Sequence, residues 1–237
     1  MTRELPSPKA DLSFWGHLEE LRGRILKIAV FYVIACCLFY PEAQTALGYL
    51  IAPVGKLIFT SPGDAFCAFW NVVLGGGALL SVPYILYHIW SFIAEGLTEE
   101  EKKLVFFYGL LSFVLFLLGA VFAFYVIMPM ALQFFLSYQT PQITAFISVD
   151  KYMSFLFSWV IDAGLAFETP LFIFVLARFG IVTPEFFAQK RRYAIVIILI
   201  IAAILTPPDV VSQILLAAPM LILYELGIIF AKMGRKK

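Results

Sequence analysis

The chain has 237 residues, of which 62% are hydrophobic, 17% aromatic and only 14% charged, and its mean hydropathy is +0.93. A soluble globular domain is about 45–50% apolar and about 25% charged, so the composition excludes that class and indicates a polytopic membrane protein. The formal net charge of +1 says little about partners, because in a membrane protein the positions of the charges matter more than their sum.

The N-terminal segment is predicted to be a loose tail followed by an amphipathic helix. Residues 1–11 are polar and contain two prolines, with no apolar stretch of the kind that a signal peptide needs. In residues 14–24 apolar side chains recur at helical spacing, and Asp11 or Ser13 precedes them as a helix cap. We expect this helix to lie at the membrane surface and to lead into the first span.

Six membrane spans are predicted, which makes the fold class all-α and the chain a single transmembrane domain over residues 1–237. Pro41 and Pro129 are expected to end the first and third spans, because proline lacks a backbone donor. Residues 42–64 are expected to form a long loop. The approximate limits of the spans are residues 25–40, 66–93, 104–128, 152–177, 193–205 and 210–231.

The fourth span carries two carboxylates, Asp162 and Glu168, followed by Pro170. An ionised carboxylate in the hydrocarbon core costs roughly 2.5 kcal/mol or more, so both should face protein or a water-filled cavity. Six positions along a helix place the two side chains about 120° apart, which argues against one acid pair. Pro170 predicts a kink near Glu168. Each acid is interpreted either as part of a functional site or as a hydrogen bond that serves packing alone.

The fifth span is too short for a bilayer. Tyr193 to Leu205 supplies about 20 Å of apolar helix, whereas the hydrocarbon core needs about 30 Å. A turn over residues 206–209 leads into the sixth span, which is also expected to be short. Either the bilayer thins beside these spans or neighbouring helices shield them.

The basic residues predict the orientation. Of the 17 Lys and Arg residues, 15 fall on the side that holds both chain ends, and only Lys56 and Lys151 fall on the other. Because cytoplasmic loops carry an excess of Lys and Arg, both termini are predicted to be cytoplasmic.

No catalytic signature is found, since the sequence has no HExxH, GxSxG or Walker A motif. An enzyme is therefore the least favoured class. Cys36, Cys37 and Cys67 lie in apolar stretches without metal-ligand spacing and are interpreted as small buried hydrophobes. Neither a metal nor a cofactor is expected.

Acidic residues cluster on the predicted cytoplasmic side, in residues 19–20 and in the link 95–101. In the link they either cap the third helix, which acids favour at its N-terminus, or form a carboxylate surface for a positively charged peptide. Arginine suits such a surface, because its guanidinium pairs with carboxylates through two parallel hydrogen bonds.

Four motifs, in order along the chain, resemble the TatC family. TatC is the multi-spanning core subunit of the twin-arginine protein translocase, and the similarity covers nearly the whole chain. One position departs from the family pattern, since Glu95 stands where the family usually has proline. The motifs are HLEELRGR at 17–24, SFIAEGLTEEEK at 91–102, AFETPL at 166–171 and ILTPPDVVSQ at 204–213.

The resemblance implies a receptor for twin-arginine signal peptides in the bacterial cytoplasmic (inner) membrane, where folded proteins are exported at the expense of the proton-motive force. It implies single-span TatA and TatB subunits, membrane lipid and further copies of the chain in a receptor complex as partners, and no nucleic acid. The family's functional positions fall in four groups. These are Glu20 and Glu101 with Glu19, Arg22 and Phe92 for signal-peptide binding, Glu168 (with Asp162 in the same span) as the membrane-embedded polar position, Thr206 and Gln213 for partner contact, and Pro53 and Asp209 in functional loops.

Two other functions are alternatives to this one. A proton-coupled secondary transporter with Asp162 and Glu168 as a relay predicts a closed midplane site and paired repeats, and the first three spans do not resemble the last three. An intramembrane hydrolase requires a nucleophile and a base that the sequence does not pair.

Overall fold

A computed structural model describes residues 14–94 and 105–234, and every regular element in those two ranges is helical. Two short non-α segments join helices end to end, a 3-10 turn at Tyr40–Glu42 and a π-helical turn at Ala123–Ile127. The helices are α1 (Phe14–Phe39), α2 (Ala43–Ile51), α3 (Asp64–Ala94), α4 (Val105–Phe122), α5 (Met128–Leu136), α6 (Val149–Phe167), α7 (Thr169–Arg178), α8 (Pro184–Gln189), α9 (Arg191–Leu205) and α10 (Val210–Met233).

Five helical stretches are long and apolar enough to cross a membrane, as the sequence predicts for a polytopic protein. The fifth predicted span corresponds to α9, which has 15 residues and is therefore about 22 Å long, short of a bilayer core. The expectation of a short sixth span is wrong, because α10 continues for 24 residues, or about 36 Å. The five stretches are Leu18–Ile51, Asp64–Ala94, Phe106–Leu136, Val149–Arg178 and Val210–Met233.

The helices place connections on two opposite sides of the molecule. The side that holds the start of α1 and the ends of α7 and α10 is called the termini side, and there the Arg178 guanidinium donates to the Gly234 carbonyl at 3.3 Å. The opposite side, called the loop side, holds the connections between α2 and α3 and between α5 and α6. These connections pair through backbone hydrogen bonds of 3.1 Å from the Ile58 amide to the Ile147 carbonyl and from the Val149 amide to the Ile58 carbonyl.

The first helix differs from its prediction. Phe14–Phe39 is one uninterrupted α-helix, so the amphipathic segment continues along the axis of the first span and does not form a separate helix at the membrane surface. The reason is local, because a single glycine at position 23 costs a helix only about 1 kcal/mol and does not break it.

Two prolines do not end the spans as predicted. Pro41 lies in the 3-10 turn that carries the chain into α2, so the expected loop 42–64 begins with a nine-residue helix. Pro129 lies at the start of α5, directly after the π-helical turn, and the third span extends to Leu136. Proline is tolerated in the first turn of a helix because the amide it lacks has no intrahelical partner there.

Glycines allow the central helices to approach closely. Gly75, Gly76 and Gly77 of α3 face Phe157, Phe39 and Cys36, which leaves no room for larger side chains. Where α4 crosses α6, a Cβ atom on Gly119 would lie 2.5 Å from the Ala163 carbonyl oxygen. Small residues at such crossings let backbones meet in a membrane, where no hydrophobic force between helices is available.

Candidate functional site

A carboxylate and a guanidinium form an ion pair at the termini side of α1. The Glu20 Oε1 atom accepts from the Arg24 Nε atom at 2.6 Å, one helical turn away. Both side chains are largely covered, with 24% of the Glu20 side chain and 17% of the Arg24 side chain exposed. Glu19 and Arg22 point outward and are exposed. The first turns of α1 therefore present a partly covered acid beside an exposed acid and an exposed base.

The register between α1 and α3 sets the level of Phe92. The helices run antiparallel, since Phe31 stacks on Tyr84 with ring centroids 4.2 Å apart, and His88 lies within electrostatic range of Arg24. One turn further toward the termini side on each helix are Glu20 and Phe92. The structure therefore brings these two predicted site residues to the same level of the α1–α3 pair, and the Phe92 side chain is half-buried there.

The second predicted carboxylate, Glu101, lies outside the described residues, as do the other acids of the link between α3 and α4.

The membrane-embedded Glu168 lies at the break between α6 and α7. The predicted kink is present, because α6 ends at Phe167 and α7 begins at Thr169, with Pro170 in its first turn. The Glu168 Oε2 atom accepts from the Ser112 hydroxyl of α4 at 2.5 Å. Its Oε1 atom is buried and has no hydrogen-bond partner among the described residues. The carboxyl group is thus half satisfied inside the protein and leaves one oxygen for a further donor.

Asp162 does not share this site. Its side chain is half-buried and makes no hydrogen bond within the described ranges, and the bond to Glu168 comes from Ser112 instead. The two acids are therefore not one pair, as their spacing along the helix predicts.

The polar residues of the α9–α10 hairpin turn inward. The Gln213 Nε2 atom donates to the Leu199 carbonyl at 3.0 Å, and the buried Thr206 hydroxyl donates to the Ala202 carbonyl at 2.8 Å. Asp209 caps α10 by accepting from the Ser212 amide at 2.7 Å. In this state of the chain these groups stabilise the hairpin. Gln213, which is half-buried, is more accessible to a partner than Thr206, of which 8% is exposed.

Pro53 is exposed on the loop side, after α2. It borders a cavity of about 510 Å³ whose walls include Tyr152 of α6 and Gln133 of α5. The Tyr152 hydroxyl donates to the Leu50 carbonyl at 3.0 Å, which fixes α2 against α6 beside this cavity.

Sequence reasoning missed the partners of the acids. Arg24 and Ser112 received no role, and the ion pair between Arg191 and Glu225, with a closest distance of 2.7 Å, was not expected. Ser112 had a signal, because it is the only serine or threonine in the apolar helix α4. No signal in the sequence indicated the pairing of Arg191 with Glu225, since the two residues are 34 positions apart.

The thiols differ in part from their interpretation. Cys36 is buried as expected, whereas Cys37 and Cys67 are exposed, and all three are free. In the ranges that the structure describes, no group of three or more His, Cys, Asp or Glu side chains is arranged to hold a metal ion.

Comparison with known proteins adds the family. The family model for the Sec-independent protein translocase protein (TatC) matches residues 16–219. The Sec-independent protein translocase protein TatC of Desulforapulum autotrophicum is 38% identical over 232 residues, which cover 94% of this chain and 86% of that protein. The protein of the same name from Aquifex aeolicus is 37% identical, with coverage of 93% of this chain and 95% of the relative.

A solved structure agrees with these relatives. The crystal structure of the twin arginine translocase receptor TatC superimposes with a TM-score of 0.83 at 36% identity, and the alignment covers 93% of this chain and 100% of that one. The fold, the sequence and the family model therefore agree over nearly the whole length. The chain belongs to the TatC family and is a multi-pass membrane protein, the core subunit of the twin-arginine (Sec-independent) protein translocase, with a role in transport and not in catalysis.

Proposed function

We propose that the termini side of this subunit receives twin-arginine signal peptides and that Glu20 pairs with an arginine of the motif. The observation that carries the proposal is the ion pair between Glu20 and Arg24. It shows that a partly covered carboxylate at the termini-side end of α1 binds a guanidinium.

We expect Arg24 to yield to the peptide arginine. Its Nε and Nη2 atoms both contact a single carboxylate oxygen of Glu20, Oε1. A peptide arginine that meets the carboxylate with two parallel hydrogen bonds makes a stronger pair. The peptide arginine therefore displaces Arg24 and takes over its place on Glu20. Phe92, at the same level of the α1–α3 pair, packs against the peptide, and Glu19, Arg22 and Glu101 complete the charged surface.

The termini side is proposed to be cytoplasmic and the membrane to be the bacterial cytoplasmic (inner) membrane. The excess of Lys and Arg on that side supports this orientation. Signal peptides of folded precursors arrive from the cytoplasm, and transport is driven by the proton-motive force.

Single-span TatA and TatB subunits are proposed as partners that dock on the membrane-embedded part of the chain, within a receptor complex that holds further copies of this subunit. The buried Oε1 atom of Glu168, which has no hydrogen-bond partner in the described part of the chain, supports a polar contact with a helix of another subunit. Gln213 can exchange its bond to the Leu199 carbonyl for such a contact, and Thr206, in the same hairpin, becomes accessible if the hairpin opens.

The test is binding of a fluorescent twin-arginine peptide to the detergent-solubilised subunit. Glu20→Gln should weaken binding about tenfold or more, because a charge-assisted hydrogen bond contributes about 1.5–3 kcal/mol. Glu225→Gln is the matched control, since it removes a carboxylate that also pairs with an arginine but lies on α10. A peptide with two lysines in place of the arginines should bind weakly to the native chain and lose little from Glu20→Gln.

Equal affinity of the native chain and a Glu20→Gln, Glu101→Gln double variant would overturn the assignment of the peptide site. The transporter alternative predicts instead that these substitutions leave peptide affinity unchanged and that Asp162 and Glu168 control the function.

A further inference from the structure

An apolar groove of about 560 Å³ opens between α4, α7 and α10 on the termini side. Its volume lies in the range of small-molecule sites, about 300–1,000 Å³. Along α4 it extends from Phe107 to Leu115, and along α7 from Arg178 to Pro170, which is about 12 Å of helix in both cases. The groove is therefore a slot that runs into the membrane from the termini side.

Of the described residues that line the groove, Arg178 is the one with a charged side chain, and it lies at the termini-side mouth. The Arg178 guanidinium donates to the Gly234 carbonyl, and within the described ranges it makes no ion pair. A guanidinium has five N–H donors and cannot be deprotonated, so most of its capacity is left for an anion. The Arg178 guanidinium therefore places a positive charge at the entrance of an apolar groove.

The surrounding charges favour an anionic occupant. Lys232 is exposed in the last turn of α10, beside the mouth. Glu225 is already paired with Arg191, and α4 carries no charged side chain in its described length. Among the described residues of the three lining helices, no unpaired carboxylate therefore competes for Arg178.

We infer that this groove binds one anionic phospholipid, with an acyl chain along Leu111, Leu115 and Leu171 and the headgroup phosphate on Arg178. Arginine recognises phosphate through two parallel hydrogen bonds, and basic sites between membrane helices suit anionic headgroups. The lipid fills the slot and links α4 to α10 at the termini side. The inference rests on the groove alone and does not depend on the proposed peptide site.

The test is native mass spectrometry of the full chain, purified in detergent and incubated with phosphatidylglycerol or with phosphatidylcholine of the same acyl chains. The measured quantity is the affinity for the first lipid bound. The native chain should bind phosphatidylglycerol about tenfold or more tightly than phosphatidylcholine, since only the former keeps a net negative charge for the guanidinium.

Two variants separate the headgroup from the acyl chain. Arg178→Gln should remove most of the preference for phosphatidylglycerol, and Leu115→Trp, which fills the slot, should weaken binding of both lipids. Arg192→Gln is the matched control, because it removes an exposed cation of the termini side that does not line the groove. Circular dichroism and melting temperature establish that each variant is folded.

Equal binding of the two lipids to the native chain, or equal effects of Arg178→Gln and Arg192→Gln, would overturn the inference. Lipid affinity that is unchanged in Leu115→Trp would also overturn it. A crosslink from Leu115→Cys to a single-span subunit would then show that the groove holds a partner helix.

Discussion

At the scale of single residues, the Ser112 hydroxyl satisfies one of the two oxygens of the Glu168 carboxyl, and the other oxygen has no partner among the described residues. Ser112 and Glu168 belong to helices that are distant in sequence but meet through the crossing of α4 and α6. A buried acceptor that loses its donor retains the cost of its desolvation, about 1–3 kcal/mol. The Ser112 hydroxyl is therefore a positioning group for the membrane-embedded carboxyl.

Ser112→Ala should impair export while leaving signal-peptide binding close to the native level, and Glu168→Ala should do the same to a larger extent. The hydroxyl fixes one carboxyl oxygen and thereby aims the other. The measurements are the export rate of a twin-arginine substrate and peptide affinity. Ser81→Ala is the control, since Ser81 is also buried but donates only to the Gly77 carbonyl of its own helix. An equal loss of peptide binding would contradict this role.

A second prediction concerns Asp64 at the start of α3. This buried carboxylate accepts from the hydroxyls of Thr60, Ser61 and Ser148, and so joins the two loops of the loop side. Asp64→Asn removes the negative charge that these donors and the Thr60 and Ser61 backbone amides stabilise, and should lower the free energy of unfolding, because hydrogen bonds to a charged group are stronger than those to a neutral one.

The control for Asp64 is Asp150→Asn, because Asp150 accepts from a single side chain, the Asn71 amide, at 3.0 Å. That amide can turn to present its oxygen to the new asparagine. Chemical or thermal unfolding in detergent measures both variants, and equal melting temperatures would show that the Asp64 cluster does not stabilise the loops.

At the scale of the helices, the close packing of α4 on α6 depends on a glycine, Gly119, at the point where the two helices cross. Gly119→Ala should lower the free energy of unfolding by about 1–3 kcal/mol, the usual cost of overpacking. The contact would be with the backbone at Ala163 and Gly164, which cannot move aside as a side chain can.

Gly48→Ala in α2 is the matched control for Gly119→Ala. A Cβ atom at Gly48 would have nothing within 4 Å, and alanine favours the helix by about 1 kcal/mol, so this variant should be neutral or more stable. Unfolding curves of both variants in the same detergent decide the point. Equal stability of the two variants would mean that the α4–α6 crossing relaxes at no cost.

At the scale of the whole molecule, the short α9 sets where the membrane must adapt. Since α9 and α10 meet in the turn on the loop side, the difference in their lengths is expressed on the termini side. The ion pair of Arg191 with Glu225 places the start of α9 level with Glu225, and α10 continues from there for eight residues, or about 12 Å, toward the termini side. The structure therefore places the predicted hydrophobic mismatch of α9 on the termini side.

Inserting four apolar residues after Val196 lengthens α9 by about 6 Å and should reduce export without preventing insertion into the membrane. The physical reason is that hydrophobic mismatch deforms the bilayer at a fraction of a kcal/mol per Å, and the longer helix relieves that deformation. Export rate and the amount of membrane-inserted protein are measured together.

Glu225→Gln alone controls for the loss of the ion pair that the insertion also disrupts. Full export by a stably inserted protein with the longer helix would remove membrane thinning from the mechanism. That result would favour the alternative that neighbouring helices shield the short span.

The membrane class, the short fifth span and the break at Glu168 are predictable from the sequence, because composition, the length of apolar runs and local backbone chemistry act within a few residues. The family is predictable only from the resemblance of the four motifs. Pro170 lacks the amide that an uninterrupted helix would need at that position, which is why the sequence predicts a break near Glu168.

Which polar groups meet depends mainly on how the helices pack. Glu20 pairs with Arg24 within one helix, but Glu168 with Ser112 and Glu225 with Arg191 depend on helix crossings that no local pattern encodes. The prolines show the same division. Pro129 lacks its donor as Pro170 does, yet the third span continues past it, because a π-helical turn places it in the first turn of the next helix and packing holds both segments in line.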